Sequence, residues 1–383
     1  MPSSKWSLLW PILLTILVPL AVAWFVYPNH LPPGFGIFPP QLVVAPPGFN
    51  LLVFLLVAAA ALVITALLIF PTWFGIQGGT PQPLPPPIAQ GFPWWFWVGL
   101  VLNVFFWWLM WTRVTPFGDL VYYAFTPMWW GFILFLDGVV FKRRGGYSLI
   151  ASRPIAFWIS ALVSVAGWSY FEFFDYFVLE NWSYPNGFMA ALPHSTIVII
   201  FLAAYSTVWP AVFVWHSLLT SFPKFIARYE NGPAIGLPSL VWLLGGLGLL
   251  ALVVIWPYPF FWGIWVAPIA VFSAVLLKNN VWNPLTSLAQ GNWSPAIIIA
   301  LSSLCTGFLW EFWNYGSAHP TNPVTNPNYW VYNIPYVNVG HFFSEMPALG
   351  YFGYLPFGLL VWLLFIWVGE LFGFSTDINL NQE

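Results

Sequence analysis

The chain alternates between long apolar runs and short segments that hold most of its charged residues. A transmembrane helix needs about 20 apolar residues to cross a hydrocarbon layer of about 30 Å. The runs of roughly this length fall at 6–27, 50–74, 94–113, 126–142, 155–178, 194–218, 237–256, 259–278, 295–315 and 351–372. The pattern predicts an all-α, polytopic integral membrane protein with about ten transmembrane helices.

Composition agrees with this class of protein. Hydrophobic residues make up 60% of the chain and charged residues 5%, whereas soluble domains carry about 25% charged residues. A net charge of -2, with nine Lys and Arg residues, argues against a nucleic-acid partner, because phosphate contacts need clustered basic side chains. The single cysteine, Cys305, excludes an intrachain disulfide.

The basic residues predict the orientation, because short cytoplasmic loops carry an excess of Lys and Arg. If the N-terminus is inside, Arg113 alone of the nine falls outside. We therefore predict that both termini are cytoplasmic. We also predict that the first helix is not cleaved, although Ala21-Val22-Ala23 resembles a signal-peptide cleavage site.

Two stretches of the chain resemble each other and predict a duplicated unit. Each has an acid near the end of an apolar run, a polar residue three positions later, a Trp-x-Tyr segment, and a Tyr and a Pro five residues apart. The matched pairs are Glu172 and Glu311, Asp175 and Asn314, Trp182 and Trp330, Tyr184 and Tyr332, Tyr205 and Tyr351, and Pro210 and Pro356.

The duplication predicts two parallel four-helix repeats that follow two leading helices. The leading helices and their Pro-rich loops occupy 1–93, and the repeats occupy 94–236 and 237–383. The second repeat carries a long outer loop over 316–347. We expect a polar outer vestibule between the repeats.

Glu311 is the candidate proton donor, because a carboxylic acid in apolar surroundings can supply a proton in catalysis. Glu345 or His341 is its candidate partner. The candidate substrate-binding residues are Glu172, Asp175, Asn314, Trp310, Trp313, Trp330 and Tyr332. The alternative is that the acids hydrogen-bond to neighbouring groups and fix helix packing. The histidines lack the spacing of a helical metal motif, so no metal site is predicted, and the residues identify no cofactor.

Aromatic residues make up 21% of the chain and include 28 Trp, more than two interfacial belts need. Rings around a proton-donating carboxyl would stabilise a carbocation by cation–π attraction, worth about 0.5–2 kcal/mol per ring. An acid in an aromatic cavity that lipids can reach therefore suits protonation of an isoprenoid double bond.

The second repeat resembles the membrane lycopene-cyclase domain family of carotenoid synthesis. The resemblance rests on Glu311, on Trp330 and on Ser344-Glu345-Met346-Pro347. It implies tandem multi-helix repeats and a cyclase or isomerase that acts on an isoprenoid.

Three functions are open at this stage. The first is an acid-catalysing membrane enzyme that acts on a hydrophobic, isoprenoid or lipid substrate. The second is a non-catalytic subunit of a larger membrane complex, which would pack lipids, pigments or partner helices. The third is a transporter, which parallel repeats also suit, although the helices lack matched Gly or Pro breaks near the midplane.

Overall fold

The computed structural model describes residues 5–83, 91–320 and 323–380. The α-helices are α1 (Trp10–Val26), α2 (Leu51–Ile69), α3 (Trp94–Thr112), α4 (Phe125–Arg143), α5 (Leu149–Ser152), α6 (Pro154–Phe177), α7 (His194–Tyr205), α8 (Val208–Leu219), α9 (Pro223–Ala227), α10 (Ser239–Ile255), α11 (Pro257–Phe260), α12 (Gly263–Lys278), α13 (Pro284–Ala289), α14 (Ser294–Ala318) and α15 (Tyr354–Phe372). The strands are β1 (Trp182–Ser183) and β2 (Val331–Tyr332). Short 3-10 segments lie at Lys5–Leu9, Pro71–Phe74, Thr115–Tyr123 and Ala348–Gly353.

Every predicted apolar run contains a helix, but the helices differ in length. In the part of the chain that the structure describes, seven helices are long and apolar enough to cross a membrane. The bent pair of Pro116–Tyr123 and α4 adds an eighth if it forms one span. Helices α10 and α12 have 17 and 16 residues, about 25 Å of helix, which is less than the hydrocarbon thickness. The protein is a helical, polytopic integral membrane protein, and the count of ten spans stays a prediction.

Proline, asparagine and glycine mark several helix ends. Helices α6, α9 and α13 begin with proline, whose missing N–H costs nothing in the first turn. The Asn50 side chain caps α2 by accepting from the backbone N of Val53 at 3.1 Å. Gly373, with a φ of 78°, ends α15 in the left-handed conformation that glycine adopts readily. The apolar runs therefore stop where the sequence supplies these residues.

Two helical hairpins and a central group of helices form the bundle. Helix α3 packs along α4, and α10 packs along α12. Helix α14 lies against α8 and α15, and α6 lies against α7, α8 and α15. A Cβ atom at Gly99 would lie 2.4 Å from the backbone N of Phe135, so glycine is what lets α3 and α4 approach closely, as small residues do between membrane helices.

The basic residues stabilise one end of this bundle. Arg143 donates to the Ser221 hydroxyl at 2.5 Å, and Arg144 donates to the Thr220 hydroxyl at 2.8 Å, both just beyond the end of α8. Arg153 pairs with Asp377 at 3.1 Å, which ties the C-terminal segment to the start of α6. A cation at a helix C-terminus is favourable because the last carbonyl groups carry partial negative charge. Arg143 and Arg144 therefore stabilise the end of α8.

The two strands bring the matched Trp-x-Tyr segments together. They pair antiparallel, with Trp182 opposite Tyr332 and Ser183 opposite Val331. Because the middle residues of the two segments lie opposite each other, a local twofold axis passes between Ser183 and Val331. The strand pair therefore places both segments beside the two acids that precede them in the chain.

Candidate functional site

Glu172, near the end of α6, is a fully hydrogen-bonded buried carboxyl. Its Oε1 accepts from Trp168 Nε1 at 2.8 Å, Tyr184 OH at 2.6 Å and Tyr205 OH at 2.9 Å. Its Oε2 accepts from Trp182 Nε1 at 3.2 Å. A buried polar group needs such partners, because an unmade hydrogen bond costs about 1–3 kcal/mol. Both oxygens of Glu172 are therefore satisfied.

Glu311, near the end of α14, is held less completely. Its Oε1 accepts from Tyr332 OH at 2.7 Å and from Tyr354 OH at 2.6 Å. Within the described part of the chain, Oε2 is buried without a hydrogen-bond partner. Trp330 donates to the Tyr332 hydroxyl at 3.0 Å. The Glu311 carboxyl thus keeps one oxygen available.

Glycine accounts for part of the difference between the two acids. Trp168 stands four residues before Glu172, and Gly307 stands four residues before Glu311. A Cβ atom at Gly307 would lie 2.4 Å from the Tyr354 ring. Glycine at this position removes a tryptophan donor and makes room for the Tyr354 ring beside the carboxyl.

The polar residues three positions after each acid hold the strands. Asn314 Oδ1 accepts from the backbone N of Trp330 at 3.1 Å, and its Nδ2 donates to the Trp330 carbonyl at 2.8 Å. Asp175 Oδ1 accepts from the backbone N of Trp182 at 3.4 Å. In the ranges that the structure describes, its Oδ2 is buried without a partner. Asn314 therefore both accepts from and donates to its strand, whereas Asp175 only accepts.

This difference predicts opposite effects of two exchanges. Asp175→Asn should raise the free energy of unfolding by about 1 kcal/mol, because the new amide can donate to the Trp182 carbonyl as Asn314 does at Trp330. Asn314→Asp should lower the free energy of unfolding by about 1–3 kcal/mol, because it leaves a buried oxygen unpaired. Thermal melting in detergent at neutral pH measures both effects, and a lower melting point for Asp175→Asn would contradict the assignment.

A cavity of about 440 Å³ lies between the two acids. Its aromatic wall includes Trp168, Trp182, Trp265, Trp310, Trp330 and Phe357. Tyr184, Tyr205, Tyr332 and Tyr354, whose hydroxyls bond to the two carboxyls, also line it. Among the described residues that form the wall, none is charged. The carboxyls stand behind the tyrosines, and the prediction of a polar vestibule is wrong because apolar and aromatic side chains dominate the wall.

The structure separates the predicted site residues into three groups. Trp310, Trp330 and Tyr332 line the cavity. Glu172, Glu311, Asp175, Asn314 and Trp313 are buried behind its wall. The other two residues, Glu345 and His341, lie in the segment between α14 and α15. Glu345 Oε1 is 2.7 Å from His319 Nε2 and accepts from Tyr329 OH at 2.7 Å. His341 is exposed and does not line the cavity. The structure does not place Glu345 or His341 in hydrogen-bond contact with Glu311.

Sequence reasoning did not select Trp168, Trp182, Tyr184, Tyr205 or Tyr354 for the site. The Trp-x-Tyr match pointed to Trp182 and Tyr184 but gave them no role. The match of Tyr205 with Tyr351 does not hold for the tyrosine that bonds to the acid. Tyr205 donates to Glu172, and the residue that donates to Glu311 in the corresponding way is Tyr354. Tyr351 and Tyr354 are three residues apart, about one helical turn, and spacing to a proline did not distinguish them.

Another buried acid, Glu180, lies outside the membrane-spanning helices, in the turn between α6 and β1. Its Oε2 accepts from the backbone N of Val43 at 3.4 Å, and in the described chain its Oε1 is buried without a partner. Gly34 approaches so closely that a Cβ atom there would lie 2.5 Å from Oε1. Burial raises the pKa of Glu180 to about 7. Below that pH the carboxyl is therefore mostly neutral where it lies against the Pro-rich segment 28–47.

The raised pKa predicts a pH dependence of stability. The ordinary value is 4.5, so the stabilising contribution is complete below that pH and is lost as the pH rises through about 7. Glu180→Gln should remove this loss. Above neutrality, its free energy of unfolding should exceed that of the wild type by up to about 2–3 kcal/mol, and its melting temperature should be higher. Melting curves from pH 5 to pH 8 test this, and a gap that does not widen with pH would contradict it.

No group of three or more His, Cys, Asp or Glu side chains in 5–83, 91–320 and 323–380 is arranged to hold a metal ion. His319, directly after α14, stacks on Tyr315, with ring centroids 4.1 Å apart. The chain matches no family model, and no curated protein or solved structure matches it either, so the comparisons assign it to no family.

Proposed function

We propose that the protein is an integral membrane enzyme that protonates a neutral, unsaturated isoprenoid-type molecule in the central cavity. One observation carries this proposal. Glu311 is buried next to an aromatic cavity and keeps one carboxyl oxygen without a partner among the described residues, whereas Glu172 has both oxygens satisfied. Buried carboxyls with incomplete hydrogen bonding are typical of functional sites, because completed bonding is the stable arrangement.

The proposed proton route runs through a tyrosine. Tyr332 lines the cavity and bonds to Glu311, so its hydroxyl links the carboxyl to a bound molecule. Burial, followed by the charge of Glu311, raises the pKa of Tyr332 well above its ordinary value, so the phenol stays neutral. Tyr332 gives its proton to one carbon of a double bond and takes the Glu311 proton, which leaves a carboxylate that Tyr354 also stabilises.

The cation that forms then loses a proton from a neighbouring carbon. That proton returns to Tyr332, and the Tyr332 proton returns to Glu311. The net reaction is an isomerisation or ring closure, with no oxidant, reductant or second substrate. The cavity wall would support the cation, because Trp168, Trp182 and Trp310 line it and a desolvated cation–π contact is worth up to about 2 kcal/mol.

The proposal includes the architecture of ten spans with cytoplasmic termini and two parallel four-helix repeats. The α3–α4 and α10–α12 hairpins, followed in the chain by α6 and α14, support this arrangement. The strand register, with Ser183 opposite Val331, supports it as well. Each repeat would contribute two tyrosines to the cavity wall and one acid behind them, and the second repeat would do the chemistry.

Deuterium incorporation tests the proposed reaction. The protein, reconstituted in proteoliposomes, is incubated in D₂O with a mixture of neutral polyisoprenoid hydrocarbons and alcohols, and the recovered lipids are analysed by mass spectrometry. Reversible protonation of a double bond should place deuterium on carbon in at least one component. Recovery of every component without deuterium above the protein-free control would contradict the proposal.

A second candidate function is a non-catalytic subunit that holds a pigment or lipid within a larger membrane complex. The observation that favours it is α2, of whose residues only Ala61 is buried, so a partner helix has room to pack there. This function predicts co-purification of other chains in fixed ratio and no incorporation of deuterium. The two candidates therefore give different results with the same purified sample.

A further inference from the structure

Helix α2 has an unusual relation to the cavity. Four of its residues, Val57, Ala60, Ala61 and Ile64, line the cavity. They follow the i, i+3, i+4, i+7 spacing of one helix face, and two of them are alanine. Apart from Ala61, every residue of α2 is exposed or only partly buried. In a membrane, the opposite face of α2 therefore meets lipid, and a single helix separates the cavity from the hydrocarbon layer.

The strong attachments of α2 are at its two ends. The backbone N of Asn50, at the N-terminal end, donates to the Tyr336 carbonyl at 3.0 Å. At the other end, Tyr229 OH donates to the Leu68 carbonyl at 2.9 Å, and Arg228 donates to the Ile69 carbonyl. Between these ends, α2 packs mainly on the Ala348–Gly353 turn. The described hydrogen bonds from α2 to other parts of the chain therefore lie at its ends, and its middle is held by side-chain packing.

We propose that the cavity exchanges its ligand with the hydrocarbon layer past the middle of α2, and that the Val57–Ala60–Ala61–Ile64 face sets the width of the ligand. This inference rests on the proposed function in that it assumes a ligand in the cavity. The ligand it selects is a slender, neutral lipid dissolved in the bilayer core. A phospholipid headgroup does not fit this route, because the described wall of the cavity offers it no charged side chain and burial of an unpaired charge is costly.

Photolabelling in proteoliposomes tests the route. The probe is a farnesol analogue that carries a diazirine, added to the lipid, and the labelled peptides are mapped by mass spectrometry. Ala61→Trp fills the inner face of α2 and should lower labelling of the cavity peptides that contain Trp182 and Trp310 by about tenfold, because overpacking of this size excludes a ligand. The matched control is Leu62→Trp, which places the same side chain at a residue that is 69% exposed, and its labelling should equal that of the wild type.

A second variant keeps the test decisive if Ala61→Trp does not fold. Val57→Ala widens the same face with a small change and should raise the early rate of cavity labelling above that of the wild type. Equal labelling in wild type, Ala61→Trp and Val57→Ala would overturn the α2 route but leave the proposed function standing. Absence of cavity labelling in the wild type would overturn both.

Discussion

Glu311→Gln is expected to lower the rate of deuterium incorporation by about 10²–10⁴-fold, the usual contribution of a general acid. Glutamine has nearly the same shape and can still accept from Tyr332 and Tyr354 through its oxygen. It cannot hold the transferable proton that the carboxyl supplies. The loss should therefore appear in turnover, while the melting temperature of the variant stays close to that of the wild type.

Two further variants make this result specific. Tyr332→Phe removes the hydroxyl between Glu311 and the cavity, and it should reduce incorporation while the cavity peptides are still photolabelled. Glu370→Gln makes the same acid-to-amide change at an exposed position near the end of α15, and it should keep the wild-type rate. A folded Glu311→Gln protein with wild-type incorporation would exclude Glu311 as the acid.

Glu172→Ala is expected to cause the largest loss of stability, about 3–5 kcal/mol in the free energy of unfolding. The change leaves the donors of Trp168, Trp182, Tyr184 and Tyr205 buried without an acceptor. Each unsatisfied donor costs about 1–3 kcal/mol, and local relaxation would recover only part of the sum. Unfolding of the detergent-solubilised protein by titration with SDS gives the free energy.

The comparison with Glu370→Ala separates this effect from the general loss of an acid. Glu370 is exposed, so its replacement should change the free energy of unfolding by less than about 0.5 kcal/mol. Glu172→Gln should lie between the two, because one amide N–H would then face a donor. If Glu172→Ala unfolded at the same SDS fraction as Glu370→Ala, the hydrogen-bond cluster would not be structural.

The sequence could predict the helical class because apolar length is a local property. Each run that approached 20 residues contains a helix, and the neighbouring runs 237–256 and 259–278 contain α10 and α12, which pack along each other. What local reasoning could not supply was the length of the ordered helix. Proline at the start of α11 and glycine at the start of α12 bound α10 and α12. Both helices are therefore shorter than the apolar helical segments of the described chain that are long enough to cross a membrane.

The candidate site was accessible to sequence reasoning only in part. The pairing of Glu172 with Glu311 and of Asp175 with Asn314 could be predicted, because each acid and the polar residue after it keep the same three-residue spacing within one helix. The tyrosines come from separate strands and helices, so their convergence depends on tertiary packing. Tyr354 reaches Glu311 because Gly307 leaves space for its ring, and no spacing rule contains that information.

The apolar character of the cavity could not be predicted from the sequence either. The sequence predicted a polar vestibule between the repeats, yet Asn333 donates to the Ser183 hydroxyl at 3.0 Å and Asn326 donates to the Ser317 hydroxyl at 3.2 Å. These two side chains hold the segment between α14 and α15 to the bundle. The rings beneath them are left to form the wall, which gives the cavity its preference for a neutral ligand.

Mass spectrometry of an organic-solvent extract from the gently purified native protein, run beside a gel and an absorption spectrum of the same sample, tests the central claim most directly. We predict a neutral, unsaturated lipid in fixed ratio to a protein that migrates as one chain, and loss of that lipid from the Ala61→Trp variant. An extract with no such lipid above the level in the surrounding membrane, or several partner chains in fixed ratio, would contradict the account.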